Sequence, residues 1–255
     1  MHCARYNKQI HGPFRNKEVI RRMIQQLKDK KVIFFDVGYT LDKPASGDWM
    51  FTNRFLAEAG EALKARSSAE VLRAKEAGLR FLADHHLVTT VEAERRQFCE
   101  YYSIISDALD LGLSAGQLEQ IAGDRADNME NYIPYPGIQE VAETLSKTHR
   151  LGIISDTWPS IDRQLEYIGV SRYFSFRTYS CYLGVFKPDS RMYLDALARS
   201  GAAPEETVFI DDGVRNLEGA AAQGIYPILI AANPESDVET GFLKIRDLRE
   251  LIRED

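Results

Sequence analysis

The chain has 255 residues, 44% of them hydrophobic and 27% charged, with a formal net charge of −6. A chain of this length and makeup buries a sizeable core without disulfide staples, and its mild acidity gives no clustered basic face for a nucleic-acid backbone. No apolar run approaches the ~18–20 residues needed to cross a bilayer, so neither nucleic acid nor membrane is expected as a partner.

The amino terminus, MHCARYNKQIHGPFRNK, lacks the apolar stretch of a secretory leader. Cys3, Cys99 and Cys181 are scattered without a CxxC pair, so no disulfide framework or zinc site is expected; the expectation is a reduced, cytoplasmic protein. Residues 17–30 place Val19, Ile20, Met23, Ile24 and Leu27 at helical spacing. The period then changes. Val32-Ile33-Phe34-Phe35 is a continuous β-branched and aromatic run, as suits a strand buried on both faces of a parallel sheet, and it stops at Asp36. From about 50 to 132 the chain is rich in Ala, Glu, Arg and Leu, with Ser, Thr and Gly breaks that divide it into four or five helices.

After Tyr135-Pro136-Gly137, helix and strand alternate to the end: IQEVAETLSKT, RLGIIS, SIDRQLEYIG, FSFRTYS, SRMYLDALARSG, TVFI, VRNLEGAAAQG and YPILIA, with FLKIRDLRELIRED read as a closing helix. Such alternation predicts a doubly wound parallel sheet, a Rossmann-like α/β fold. The expected division is an N-terminal helical extension (1–30), a core domain (31–48 and 133–255) and an inserted helical domain (49–132). Ligands of these sheets sit beyond the carboxyl ends of the strands. Four strand ends carry reactive groups: Asp36 with Thr40, Ser155 with Asp156, Lys187, and Asp211-Asp212. Each alone reads as a turn or helix cap, but capping does not explain the set. A carboxylate attacks a phosphoryl group to give an aspartyl-phosphate, and hard oxygen donors suit Mg²⁺. In that chemistry Asp36 is the nucleophile and Asp212, with Asp211, holds the metal. Lys187 offsets charge between Asp36 and the incoming phosphate, and Ser155 and Thr40 donate hydrogen bonds.

The run VIFFDVGYTL, LGIISDT, GVFKPDSRMY, TVFIDDGVRNLEGAAAQGI resembles, in order, the four motifs of the haloacid dehalogenase-like hydrolases. The resemblance covers roughly 30–41 and 135–232, and the helical insertion lies where that family carries its C1-type cap. Its fourth motif is similar to sugar-phosphatase-like members and to the phosphatase domain of soluble epoxide hydrolases. The resemblance implies Mg²⁺ held by Asp36, the Gly38 carbonyl, Asp212 and, directly or through water, Asp211. It also implies a small phosphorylated metabolite as substrate, with Ser155, Asp156, Lys187 and Trp158 around it. The oligomeric state stays open.

One departure matters. Family phosphatases read Asp-x-Asp-x-Thr, and their second Asp is the general acid/base; here it is Gly38. A positioned acid/base contributes ~10²–10⁴-fold. Either the leaving group needs little protonation, as in an acyl phosphate, or Asp42, Asp48, Tyr39, His85 or His86 substitutes. Three other readings stay open: 2-haloacid dehalogenation, phosphonate cleavage through a lysine such as Lys64 or Lys75, and a non-catalytic binding module. Trp49, Phe51 and Trp158 flank the first two motifs, as pocket walls or as packing. The segments around 42–52 and 132–137 are expected to serve as hinges.

Overall fold

A computed structural model of the protein describes residues 26–253. Of the helix expected over 17–30, residues 26–28 are helical and the stretch before them lies outside the described residues. Val32–Phe35 forms β1, buried throughout. Successive side chains of a strand point to opposite faces, and the packing follows: Ile33 and Phe35 enter one hydrophobic cluster, Val32 and Phe34 another.

A short antiparallel ribbon pairs β2 (Asp42–Pro44) with β3 (Tyr132–Pro134). Four helices are inserted between its strands: α1 (Asn53–Lys64), α2 (Ser68–Asp84), α3 (Val91–Leu109) and α4 (Ala115–Asp127). Each starts where the sequence supplies a hydroxyl cap. Thr52, Ser67, Thr90 and Ser114 accept from the backbone N–H three residues on, satisfying donors that the first turn leaves free. Phe55, Phe98, Tyr101, Tyr102, Ile105 and Ile121 give these helices a cluster of their own.

Beyond β3 come α5 (Ile138–Ser146), β4 (Arg150–Ser155), α6 (Ile161–Tyr167), β5 (Phe174–Tyr179), α7 (Ser190–Ser200), β6 (Thr207–Asp211), α8 (Val214–Ala222), β7 (Tyr226–Ile230) and β8 (Leu243–Ile245). The main sheet runs β5-β4-β1-β6-β7-β8, parallel at every pairing. Apolar residues of α5 and α6 pack on one face, and those of α7 and α8 on the other. The sheet is therefore doubly wound, as expected. Its order reverses at β1, between β4 and β6, so the carboxyl ends of those three strands meet at one crevice.

The carboxyl tail differs from expectation. It is not a helix: Leu243–Ile245 adds β8 to the sheet edge, and Leu248–Leu251 makes one 3₁₀ turn capped by Asp247. Among the described residues no helix is long and apolar enough to cross a membrane.

Candidate active site

Asp36 follows β1 directly, Ser155 ends β4 and Asp211 ends β6, which brings the strand-end residues to one crevice. Lys187 reaches in from the loop after β5. Its Nζ donates to Asp36 Oδ1 at 2.6 Å, Asp211 Oδ2 at 2.7 Å and the Ile154 carbonyl at 3.3 Å. Burial alone would lower the lysine's pKa, but Asp211, Asp36 and Asp156 raise it well above the ordinary value, so the group stays an ammonium. Burial pushes the Asp36 carboxyl well up, and Asp211 and Asp212 push it further against the pull of Lys187. Asp212 rises to about 6 from burial and from Asp211, while its Oδ2 accepts from Ser236 Oγ at 2.9 Å.

Three carboxylates, Asp36, Asp211 and Asp212, each place an oxygen within 4.8 Å of the others. One ammonium does not balance them. A crowded set of hard oxygen donors, with the proton affinity of Asp36 and Asp212 raised, fits a divalent cation such as Mg²⁺. Asp211 is fully buried and held in place, since its Oδ1 accepts from the Gly213 N–H at 2.6 Å and from Asn216 Nδ2 at 3.0 Å.

These groups border a cavity of about 310 Å³ lined by Asp36, Gly38, Ser155, Asp156, Trp158, Lys187 and Asp212, among others. Ser155 Oγ makes no hydrogen bond to any described residue and is free to serve a ligand. Asp156 instead accepts from the Lys187 backbone N–H at 2.9 Å, so its carboxylate fixes the lysine loop. Trp158 is a wall whose Nε1 is committed to Gln97 Oε1 at 2.7 Å. Thr40 does not reach the wall: it is fully buried, and its Oγ1 has no partner among the described residues. Trp49 lines the cavity, whereas Phe51 stacks on Phe55 at 4.4 Å within the helical cluster.

Of the five side chains weighed as replacement acids, Tyr39 alone lines this cavity. Burial and neighbouring carboxylates raise its phenol pKa, so it keeps its proton at neutral pH. Asp42 is buried with its Oδ2 taken by Gln164 Nε2 at 2.6 Å, and burial pushes it up to about 7. Asp48 accepts from the Met50 and Phe51 backbone and from Lys75. His85 is exposed and bonded to the Phe81 carbonyl. Lys64 pairs with Glu61 on the surface, so neither Lys64 nor Lys75 lies in the cavity as a Schiff-base former would.

His86 is a core histidine. It stacks on Phe186 with centroids 3.7 Å apart, its Nε2 meets Ser180 Oγ at 2.7 Å, and its Nδ1 has no partner among the described residues. Burial pushes its pKa down to about 4. The unfolded chain then holds this proton at a higher pH than the folded one, so stability falls as pH drops from ~6.5 toward 4. The loss should reach roughly 2–3 kcal/mol from this group. The difference in melting temperature between wild type and His86→Gln, followed from pH 7 to pH 4, should shrink across that window; a difference independent of pH would contradict the assignment.

Among the residues on this wall that sequence reading missed is Arg125, in the last turn of α4. A signal was present, because Leu118, Ile121 and Ala122 set an apolar stripe and Arg125 takes its next position.

A family model for haloacid dehalogenase-like hydrolases matches residues 30–224. The phosphoserine phosphatase of Thermus thermophilus is 29% identical over 125 residues, 46% of this chain and 50% of that protein. Bifunctional epoxide hydrolase 2 of Rattus norvegicus is 29% identical over 100 residues, 37% of this chain and 18% of that protein. The matched stretches thus span half or less of these curated relatives. The crystal structure of a 2-haloacid dehalogenase from Pseudomonas syringae pv. Tomato DC3000 superimposes with a TM-score of 0.59 at 22% identity, over 88% of this chain and 96% of that one, a likeness of fold.

Proposed function

The chain belongs to the haloacid dehalogenase-like hydrolases, and from that premise we propose that it is a Mg²⁺-dependent phosphatase acting on a small phosphorylated metabolite. The observation that carries this reading is the buried cluster in which Lys187 bridges Asp36 and Asp211 beside Asp212. Halide displacement from carbon calls for a nucleophile but no cation-binding set of carboxylates. Phosphoryl transfer calls for both.

Asp36 attacks phosphorus; an Asp36 Oδ–P bond forms and the bond to the leaving oxygen breaks. Water then attacks the same phosphorus, releasing phosphate and restoring the carboxylate. Lys187 neutralises part of the negative charge on Asp36 and the phosphoryl oxygens, and the free Ser155 hydroxyl donates to one of them. Mg²⁺, held by Asp36, Asp212, Asp211 and the Gly38 carbonyl, would supply further charge neutralisation at the phosphoryl group.

The proton for the leaving oxygen is the open term. A side chain at position 38 would begin with a Cβ only 3.1 Å from Trp49 Cζ2 and 3.6 Å from Cε2. The indole crowds that carbon and would have to give way slightly to admit it. Activated phosphates, whose leaving groups depart unprotonated, are therefore the favoured class. Gly38→Asp alone should leave alkyl phosphates poorly hydrolysed, whereas Gly38→Asp with Trp49→Ala should raise kcat/KM for them by ~10²-fold. A double variant no faster than wild type would remove position 38 from the account.

The defining assay is phosphate release from acetyl phosphate, p-nitrophenyl phosphate, sugar phosphates and nucleotides, with and without Mg²⁺. Mg²⁺-dependent release fastest with acetyl phosphate is the expected result. The absence of an acid at position 38 also suits a dehalogenase; chloride release from 2-chloropropionate without phosphate release would decide for that reading.

A further inference from the structure

Arg125 is 7% exposed, yet among the described residues no carboxylate forms an ion pair with it. A buried guanidinium normally has such a counter-charge, because taking it out of water is costly. The buried acid on the adjacent helix, Glu94, attracts the guanidinium electrostatically but makes no direct contact with it: its Oε2 accepts from the Ser160 N–H at 2.8 Å and its Oε1 from Ser160 Oγ at 2.6 Å. Arg125 Nη1 donates to Tyr132 Oη, and Nε has no partner among the described residues.

The guanidinium lies 4.8 Å from the Phe98 ring centroid, 5.8 Å from Tyr132 and 6.0 Å from Trp158. These rings favour a cation but leave most of its fork of donors unused. The position at the end of α4 suits the helix dipole, although an exposed lysine would serve that purpose without burial. What sets Arg125 apart is its place on the wall of the cavity that also contains Asp36, Ser155 and Lys187.

We propose that Arg125 is a substrate-binding residue that holds a carboxylate at the non-phosphoryl end of the substrate, which makes the substrate class phosphorylated carboxylic acids. The inference rests on the reading that the Asp36 end of the cavity takes the phosphoryl group. A planar carboxylate matches the guanidinium fork, and it would supply the direct ion-pair partner that Arg125 lacks among the described residues. The cavity of about 310 Å³ accommodates a ligand of a few carbons, and Trp49, Trp158 and Tyr132 would cover its apolar middle.

The test uses non-hydrolysable ligands, so binding is read independently of turnover. The affinities of 3-phosphonopropionate and propylphosphonate, which differ in the carboxylate, are measured by calorimetry on the full chain in Mg²⁺. Wild type should prefer the carboxylate ligand by roughly 10–100-fold. Phosphonoacetate and 4-phosphonobutyrate report the spacing between the two anionic sites. In Arg125→Met the preference ratio should fall toward one, and Arg125→Lys should keep part of it. Equal affinities in wild type, or a preference that survives Arg125→Met, would overturn the proposal. Should Arg125→Met not fold, the wild-type ratio and Arg125→Lys still decide. A preference without phosphate release from any substrate would sink the phosphatase reading and leave the carboxylate site standing; release without preference would do the reverse.

Discussion

Asp36→Asn should abolish phosphate release, by on the order of 10⁴-fold or more, in a protein that melts at or above the wild-type temperature. The two halves of that result have one cause. Asp36 is 6% exposed, and burial together with Asp211 and Asp212 holds its carboxyl far above the usual range. A charged nucleophile at this position works against the electrostatics of the fold. The amide removes one of three crowded carboxylates while Lys187 keeps Asp211 at 2.7 Å, so stability should change by ~0–2 kcal/mol in the favourable direction. Calorimetric melting without added Mg²⁺, beside the phosphate assay, checks both. A variant that loses activity because it unfolds would count against Asp36 as nucleophile, and so would one that keeps turning over.

Lys187→Met should have the opposite thermal signature. It removes the ammonium that bridges Asp36 and Asp211, its side chain being 2% exposed in the ion pair, and leaves two buried carboxylates facing each other. Breaking such an arrangement costs about 3–5 kcal/mol, which for a chain of this size is a fall of roughly 6–20 °C in melting temperature. Activity should drop by at least ~10²-fold with the loss of a preorganised positive group. The pair of variants is diagnostic when combined. Adding Asp36→Asn to Lys187→Met should recover part of the lost stability, because the carboxylate repulsion it relieves is no longer offset once the lysine is gone. Strictly additive melting shifts would show that the two side chains do not interact as their 2.6 Å contact implies.

Much of this was legible in the residues, for identifiable reasons. The run at 32–35 reads as a doubly buried strand because all four side chains are apolar and bulky. Asp36, Ser155 and Asp211 were found because a parallel sheet sends its strand ends to one edge, so chain order predicts spatial gathering. The inserted helices, read as four or five from Ser, Thr and Gly breaks, are four, and Thr52, Ser67, Thr90 and Ser114 at those breaks cap them. The tail misled because Leu243, Ile245, Leu248 and Leu251 suit both periods. What decides is the open edge of β7, to which Leu243–Ile245 adds, and that is a tertiary opportunity absent from local pattern. Thr40 looked like a donor by motif position, yet its hydroxyl lies buried away from the cavity. The fit of Trp49 over Gly38 needed the fold as well, since neither residue alone indicates that the other fills its space.

The ribbon of β2 and β3 has a consequence for how this protein was assembled. Pro44 pairs with Tyr132, and the Ala45 N–H donates to the Asn131 carbonyl at 2.9 Å, so the chain leaves for the helices and comes back at the same spot. A segment whose ends touch is interchangeable: it can be lengthened, shortened or exchanged for another without moving a single strand of the sheet. Replacing 45–131 by a tight two-residue turn would close the ribbon as an ordinary hairpin, at the expense of removing Trp49 from the crevice and baring Tyr132 and Trp158 on its wall. Selection can therefore rewrite what the crevice admits while the reacting groups beneath it stay where they are.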